Sequence, residues 1–239
     1  MWTWWMLAAA AEPAMDPATA SYVAAVDHMV ARVEAVDTAA WTFRKQEWAD
    51  GAAQPRQVMT IKYRRQGDIY LKYVGDHNGG REVLYRPLVL PGEILVNPSA
   101  LLPTMTFDLD GRVATEGERY TVDNLSLHRT VARYKHDDAL LRARDRRGMV
   151  VEDLGRRRVG GEAARCWRVQ LPKDEVPALY APLVETCVAD RTGVMVSIKA
   201  WDDEGGERVV VEDYVWADLQ LGVPLTDADF EPDHGDYGF

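Results

Sequence analysis

The segment Val58–Val74, VMTIKYRRQGDIYLKYV, decides the fold class of this chain. Apolar and polar residues alternate on both sides of its central turn, and a period of two is typical of half-buried β-strands. The same alternation occurs in Trp41–Trp48, WTFRKQEW, and again around Phe107 in MTFDLDG. Turn sequences such as Asn78-Gly79-Gly80 separate these short runs. The pattern predicts an antiparallel meander in which each strand buries one face.

Two helical regions interrupt the strands. Residues 21–36, SYVAAVDHMVARVEAV, repeat apolar residues every three or four positions, which predicts an amphipathic helix. Residues 124–147 are highly charged and long enough for one or two helices. Further strand-like runs extend to Leu221, so the total is about ten or eleven strands. We therefore expect an α+β fold: a single curved antiparallel sheet, in effect an incomplete β-barrel, with helices packed in its concave mouth.

The composition limits the class of protein. The chain has 239 residues, a formal net charge of −10, 47% hydrophobic residues and 28% charged residues. This balance is globular, and it excludes a fibrous repeat and a multi-span membrane protein. The acidic charge argues against a nucleic-acid partner, which needs a basic surface. Residues 202–236 are strongly acidic and contain a single basic residue, Arg208. They either face the more basic middle of the chain or form a separate solvated face.

The first eleven residues, MWTWWMLAAAA, resemble the apolar region of an export signal. They are too short to span a bilayer. Ala9-Ala10-Ala11 places small residues where a signal peptidase cleaves, which predicts a signal at 1–11 and a single domain at 12–239. Because no Lys or Arg precedes Arg32, an ordinary apolar N-terminus is the alternative. Export predicts a periplasmic location.

The chain contains two cysteines, Cys166 and Cys187, and both lie in strand-like sequence. Two strands joined by a short connection can become neighbours, which brings their Cα atoms within bridging distance. Export to an oxidising compartment favours a disulfide between them. Two buried free thiols are the alternative, since free cysteine is often buried.

Signatures of catalysis are missing from the sequence. No serine lies in a G-x-S-x-G motif, and there is neither an H-E-x-x-H sequence nor a paired-cysteine zinc motif. We expect His128 and His136 to be surface residues of the helical insert. The sequence therefore predicts no enzyme, no metal and no cofactor.

Several segments together resemble a known family. They are WTFRKQEWADG, MTIKYRRQGDIYLKYVGDHNGGREVLY, the Asn97-Pro98 pair, ERYTVDNLSLHRTVARY, CWRVQLP, and YVWADLQLG followed by TDADFEPD and YGF. In this order they resemble the proteins grouped as domain of unknown function 1571, over roughly residues 22–239. That family is similar to the LolA/LolB superfamily of periplasmic lipoprotein carriers and receptors. The resemblance implies an incomplete barrel with a helical lid, and a soluble periplasmic protein that holds acyl chains in an apolar cavity.

The inward faces of the alternating strands would line such a cavity. The residues expected there are Trp41, Phe43, Met59, Ile61, Tyr63, Ile69, Leu71, Tyr73, Met105, Phe107, Trp167, Val169 and Leu171. A register error of one residue would turn this whole set outward, and tryptophans can pack a sheet as well as line a pocket. Arg44, Lys62, Arg64 and Lys72 fall on the opposite faces and are expected in solvent.

The sequence is compatible with three functions. The first is a periplasmic carrier or binding protein for a lipid or lipidated protein, expected to be a monomer without a membrane-spanning segment. The second is a non-catalytic envelope interaction protein, with a barrel filled by its own side chains and an acidic end that binds a protein partner. The third is a hydrolase with an unfamiliar site, which a carboxylate with a strongly shifted pKa in a cleft would favour.

Overall fold

The computed structural model describes residues 15–99 and 101–239. The predicted export signal at 1–11 lies outside the described residues. The helices are α1 Pro17–Glu34, α2 Arg112–Thr115 and α3 Leu127–Arg142, with 3-10 turns at Val122–Leu125 and Asp227–Phe230. The strands are β1 Thr38–Ala49, β2 Ala52–Ala53, β3 Gln57–Arg64, β4 Ile69–Tyr73, β5 Glu82–Tyr85, β6 Glu93–Asn97, β7 Met105–Asp108, β8 Val150–Val159, β9 Glu162–Gln170, β10 Leu183–Ala189, β11 Met195–Glu204 and β12 Glu207–Leu221.

All twelve strands form one antiparallel sheet. Its order is β7-β6-β5-β4-β3-β1-β12-β11-β10-β9-β8, and the short β2 pairs with β1 beside this path. The order has two different ends, β7 and β8, so the sheet is open. The predicted α+β class with a single antiparallel sheet is confirmed, and the described strands number twelve rather than ten or eleven.

The sheet must curve strongly to make its core. Ile94 of β6 and Val169 of β9 belong to the same hydrophobic cluster. Eight strand spacings of roughly 4.8 Å would separate these strands by about 38 Å in a flat sheet. The same cluster includes Met29 of α1 and Val131 of α3. The helices therefore cover the concave face, as the sequence predicts.

Both long helices begin with a side-chain cap. Pro17 occupies the first turn of α1, and the Asp16 carboxylate accepts hydrogen bonds from the backbone N–H groups of Ala18 and Thr19, both at 3.0 Å. Ser126 caps α3. Helix α1 thus starts four residues before the predicted position. None of the described helices is both long enough and apolar enough to span a membrane.

The C-terminal segment, residues 225–239, covers the convex face of β4 to β6. Phe230 is fully buried against Tyr70 and Leu84, and the ring of Tyr237 stacks on Tyr70 with 3.8 Å between centroids. This cover explains why β5 is buried on both faces. The acidic end of the chain therefore packs on its own sheet.

The same segment corrects the expectation that Lys62 and Arg64 are solvated. Lys62 pairs with Asp229 at 2.8 Å, and Arg64 pairs with Asp227 and Asp68. Both side chains are half-buried. Arg44, which the segment does not reach, is exposed as predicted.

Cys166 and Cys187 form a disulfide, as predicted. They are direct partners in the β9–β10 ladder, with Cα atoms 4.1 Å apart. Trp167, the neighbour of Cys166, points to the core, so the disulfide lies on the convex face. There it packs with Ala164, Ala189 and Val196 in a small separate cluster.

Candidate functional site

A cavity of about 260 Å³ lies between the concave face of the sheet and its helical cover. Its roof consists of α1, α3 and the strap, by which we mean residues 116–125 between α2 and α3. Aliphatic and aromatic side chains make up much of the wall, including Val26, Val83, Ile94, Val96, Leu141, Val184, Ile198 and Trp216. The space is therefore suited to an apolar group.

Eight of the thirteen predicted cavity residues lie on this wall. They are Phe43, Met59, Leu71, Tyr73, Met105, Phe107, Val169 and Leu171. Their role in binding a ligand stays a prediction.

The other five point inward but lie in the packed core instead of on the cavity wall. They are Trp41, Ile61, Tyr63, Ile69 and Trp167. The helices fill the space above this part of the sheet: Tyr22 of α1 meets Trp167 edge-on, with 6.1 Å between ring centroids. The alternation identifies the face correctly, but it does not tell which part of that face a helix covers.

The position of His128 also differs from the one expected from the sequence. The residue is half-buried rather than on the surface, and its Nδ1 lies 2.6 Å from the hydroxyl of Tyr63. Burial lowers the pKa of this histidine. The contact fastens the start of α3 to β3, whereas His136 is exposed as expected.

One end of the cavity carries buried charges that the sequence analysis missed. Lys45 and Glu47 continue the inward phase of Trp41 and Phe43 along β1. Glu212 of β12 lies directly opposite Glu47 in the ladder. All three charged side chains are buried. The sequence pattern does indicate this position for Lys45 and Glu47, because the period of two that contains Phe43 places both of them on the concave face.

Lys45 is held between two carboxylates. Its Nζ lies 3.4 Å from Glu47 and also bonds Glu118 of the strap, which Gln57 contacts at 2.9 Å. Burial alone would lower the pKa of Lys45, but Glu47 and Glu118 outweigh that effect and the pKa is raised. The lysine therefore stays charged inside the protein and joins the strap to β1.

Glu212 connects three elements. It accepts hydrogen bonds from the hydroxyl of Tyr120 at 2.8 Å and from that of Tyr180, in the β9–β10 connection. The Nε of Arg119 lies 3.5 Å away. Burial raises the pKa of Glu212 to about 7, against the lowering influence of Tyr120 and Arg119. The carboxyl group thus changes charge near neutral pH.

The cavity is therefore amphipathic, with a long apolar wall and one polar end. Within residues 15–99 and 101–239, no group of three or more His, Cys, Asp or Glu side chains is placed to hold a metal ion. The arrangement is suited to binding a molecule that has an apolar chain and a polar group.

Comparisons with known proteins agree with this architecture. The model of the family described as "Protein of unknown function (DUF1571)" matches residues 36–239. Comparison of the sequence with curated proteins gives no significant match. The structure is similar to that of the Mycobacterium tuberculosis lipoprotein LppX, with 12% identity, a TM-score of 0.50, and coverage of 89% of this chain and 99% of that one.

Two further structures are more distant. The Pseudomonas aeruginosa MucA/MucB complex gives 15% identity, a TM-score of 0.47, and coverage of 88% of this chain and 60% of that one. A LolA superfamily protein from Nitrosomonas europaea gives 10% identity, a TM-score of 0.37, and coverage of 89% of this chain and 98% of that one. Of the three matches, that to LppX carries weight, and at its low identity it establishes a shared fold.

Proposed function

The chain belongs to the DUF1571 family, and from that premise and the amphipathic cavity we propose that it is an exported, non-catalytic binding protein or carrier for the acyl chain of a lipid or lipidated protein. The observation that supports this proposal is the apolar wall between sheet and helices. A filled barrel would have no such space.

The size of the cavity favours one acyl chain at a time. Ligand pockets usually measure roughly 300–1,000 Å³, and the cavity of about 260 Å³ lies just below that range. Each buried CH₂ group contributes about 0.8 kcal/mol, so a segment of roughly eight carbons contributes about 6 kcal/mol. Several chains would require α1 and α3 to move outward.

The rival function, a filled barrel with a free acidic end, has less support. Asp227 and Asp229, in the acidic region, are paired with Arg64 and Lys62 of the same chain. The acidic residues that a partner would use are thus partly neutralised within the molecule.

Filling the cavity tests the proposal. Val184 is buried and lines the cavity, so Val184→Phe places a ring in the space for the ligand. We expect the variant to lose at least tenfold in affinity for a fluorescent fatty acid while its far-UV circular dichroism is unchanged. Val74→Phe is the matched control, because Val74 is 52% exposed and lies outside the cavity wall.

A second variant distinguishes a loss of affinity caused by the filled cavity from one caused by misfolding. Ala114→Phe enters the cavity from α2, a different element of the wall, and should give the same loss. Wild-type protein purified after export should also yield an acyl compound on solvent extraction and mass spectrometry. A protein that yields no lipid and fails to bind the fatty acid would contradict the proposal and favour the interaction protein.

A further inference from the structure

A shallow groove runs along the outer side of α3 and opens into the cavity. Five residues line both spaces: Asn124, Arg129, Arg133, Asp137 and Tyr180. A ligand whose chain occupies the cavity can therefore extend its polar group into this groove.

Arg133 stands at the junction in a fixed orientation. Its guanidinium lies between the rings of Tyr120 and Tyr180, 4.9 Å and 4.8 Å from their centroids. One N–H group donates to the Tyr120 hydroxyl at 3.0 Å. Both tyrosines are themselves held by Glu212. The rings stabilise the cation, and the guanidinium is set in place before any ligand arrives.

Arg133 also has donors to spare. A guanidinium carries five N–H donors, and no carboxylate forms an ion pair with Arg133 in the part of the chain that the structure describes. By contrast, Lys45, Arg129 and Arg146 of the cavity wall each pair with a carboxylate. Arg81 is likewise without such a pair, but it does not line the groove. The available positive charge of the groove is therefore that of Arg133.

The residues around Arg133 limit which polar groups of a ligand the groove can bind. Arg129 and His136 lie one turn to either side of it on α3, so basic groups extend along the groove. Asp137 adds an acceptor: its Oδ2 accepts from the Tyr180 backbone N–H at 3.3 Å, and its Oδ1 is buried without a hydrogen-bond partner. A suitable polar group thus has anionic oxygens for Arg133 and an O–H donor for Asp137.

We propose that the α3 groove is the head-group site for a single-chain amphiphile with a phosphate monoester bound as its monoanion, whose anionic oxygens bind Arg133 and whose remaining P–O–H group donates to Asp137. A simple sulfate ester or an ionised carboxylate has no O–H to donate. The inference rests on the proposed acyl-chain cavity, since the chain is what anchors the head group beside Arg133.

The test compares two ligands that share one chain. Dodecyl phosphate and 1-dodecylglycerol are titrated calorimetrically into the full protein, below the concentration at which either forms micelles. We expect Arg133→Gln to lower the affinity for dodecyl phosphate by about ten- to a hundredfold, the usual range for a lost charge-assisted contact. The same variant should leave the affinity for 1-dodecylglycerol within about twofold.

Matched variants separate charge from folding. Arg157→Gln removes an exposed arginine of β8, away from the groove, and should change neither affinity. Arg133→Lys keeps the charge without the planar fork and should recover part of the loss. Unchanged thermal unfolding of Arg133→Gln would show that the variant is folded.

The outcomes distinguish the two proposals. If both ligands bind and Arg133→Gln weakens neither, the head-group site is wrong and the cavity stands. If inorganic phosphate alone displaces dodecyl phosphate at equal concentration, the groove is a free-anion site and the head-group assignment is overturned. If neither amphiphile binds the wild-type protein, the acyl-chain function itself fails.

Discussion

Two glutamates face each other across the ladder at the polar end of the cavity. Glu47 and Glu212 are direct partners on β1 and β12, and both are buried. Like charges in this position destabilise a sheet. The protein offsets the repulsion with donors: Tyr214 bonds Glu47, and Tyr120 and Tyr180 bond Glu212. Burial raises the pKa of Glu212 to about 7, and the charge of Glu47 adds to this rise.

The raised pKa predicts a dependence of stability on pH. The folded protein holds the pKa of Glu212 at about 7, above the ordinary value of 4.5. The protonated carboxyl therefore favours the folded state, and its contribution is complete below pH 4.5 and lost as pH rises through 7. At about 1.4 kcal/mol per pKa unit, the loss reaches about 3 kcal/mol.

Glu212→Gln removes this titration. Between pH 5 and pH 8, we expect the free energy of unfolding of the variant to improve by up to about 3 kcal/mol relative to the wild type. Urea unfolding at several pH values measures the difference. Glu207→Gln, at an exposed position of the same strand, is the control and should follow the wild-type curve. Parallel curves for Glu212→Gln and wild type would show that Glu212 does not titrate in this range.

At the scale of elements, the β9–β10 hairpin is closed by the disulfide on its convex face. Cys166 and Cys187 are 21 positions apart in the sequence, and the connection between their strands contains Tyr180. A cross-link of this span lowers the entropy of the unfolded chain by an amount that corresponds to about 3 kcal/mol of stability. The hairpin is thus tied from outside while its inner face borders the cavity.

The double substitution Cys166→Ala with Cys187→Ala should therefore lower the Tm by about 6–12 °C, at roughly 2–4 °C per kcal/mol for a chain of this size. Affinity for a fluorescent fatty acid should stay within about twofold, since neither cysteine lines the cavity. Differential scanning calorimetry and a binding titration measure both effects. A reductant added to the wild type should reproduce the lower Tm. A large loss of affinity with an unchanged Tm would contradict this separation of roles.

At the scale of the whole molecule, the cover and the sheet differ in how they are held. Central strands such as β1 and β12 are hydrogen-bonded on both sides, whereas α1, α3 and the strap are attached to the sheet through side chains. The cavity of about 260 Å³ is partly covered, and the cover must move outward to admit a ligand larger than this space. Local opening draws on the least stable parts of a fold, so the cover is the part expected to move.

Hydrogen exchange tests this difference. We expect amides of α1 and α3 to exchange faster than those of β1 and β12 in the free protein. Dodecyl phosphate at a hundred times its Kd should slow exchange in the helices and stabilise the protein by about 2.7 kcal/mol. Mass spectrometry of peptides from each element gives both readings. Equal protection of helices and central strands, unchanged by the ligand, would exclude an opening cover.

Much of the fold could be predicted because it rests on local patterns. The alternation in Trp41–Trp48 and Val58–Val74 predicts strands and their inward faces, and short turns between strands require antiparallel pairing. The cysteines could be paired because they occur on successive strands. Lys45 and Glu47 share the inward phase, which places them on the concave face. A charge is costly to bury without a partner, so the alternation alone does not predict that they are buried.

The tertiary structure alone decided how the inward face is used. Trp41 and Trp167 carry the same sequence signal as Phe43 and Val169, yet the first pair lies in the packed core and the second beside a cavity. Glu118, Arg119 and Tyr120 of the strap are what make the buried charges of β1 and β12 tolerable. The hydrophobic period and the composition of a segment reflect interactions between residues that are close in the sequence. A cavity depends on the separation between segments that are distant in the sequence. That separation is set only when the sheet curves and the helices pack on it.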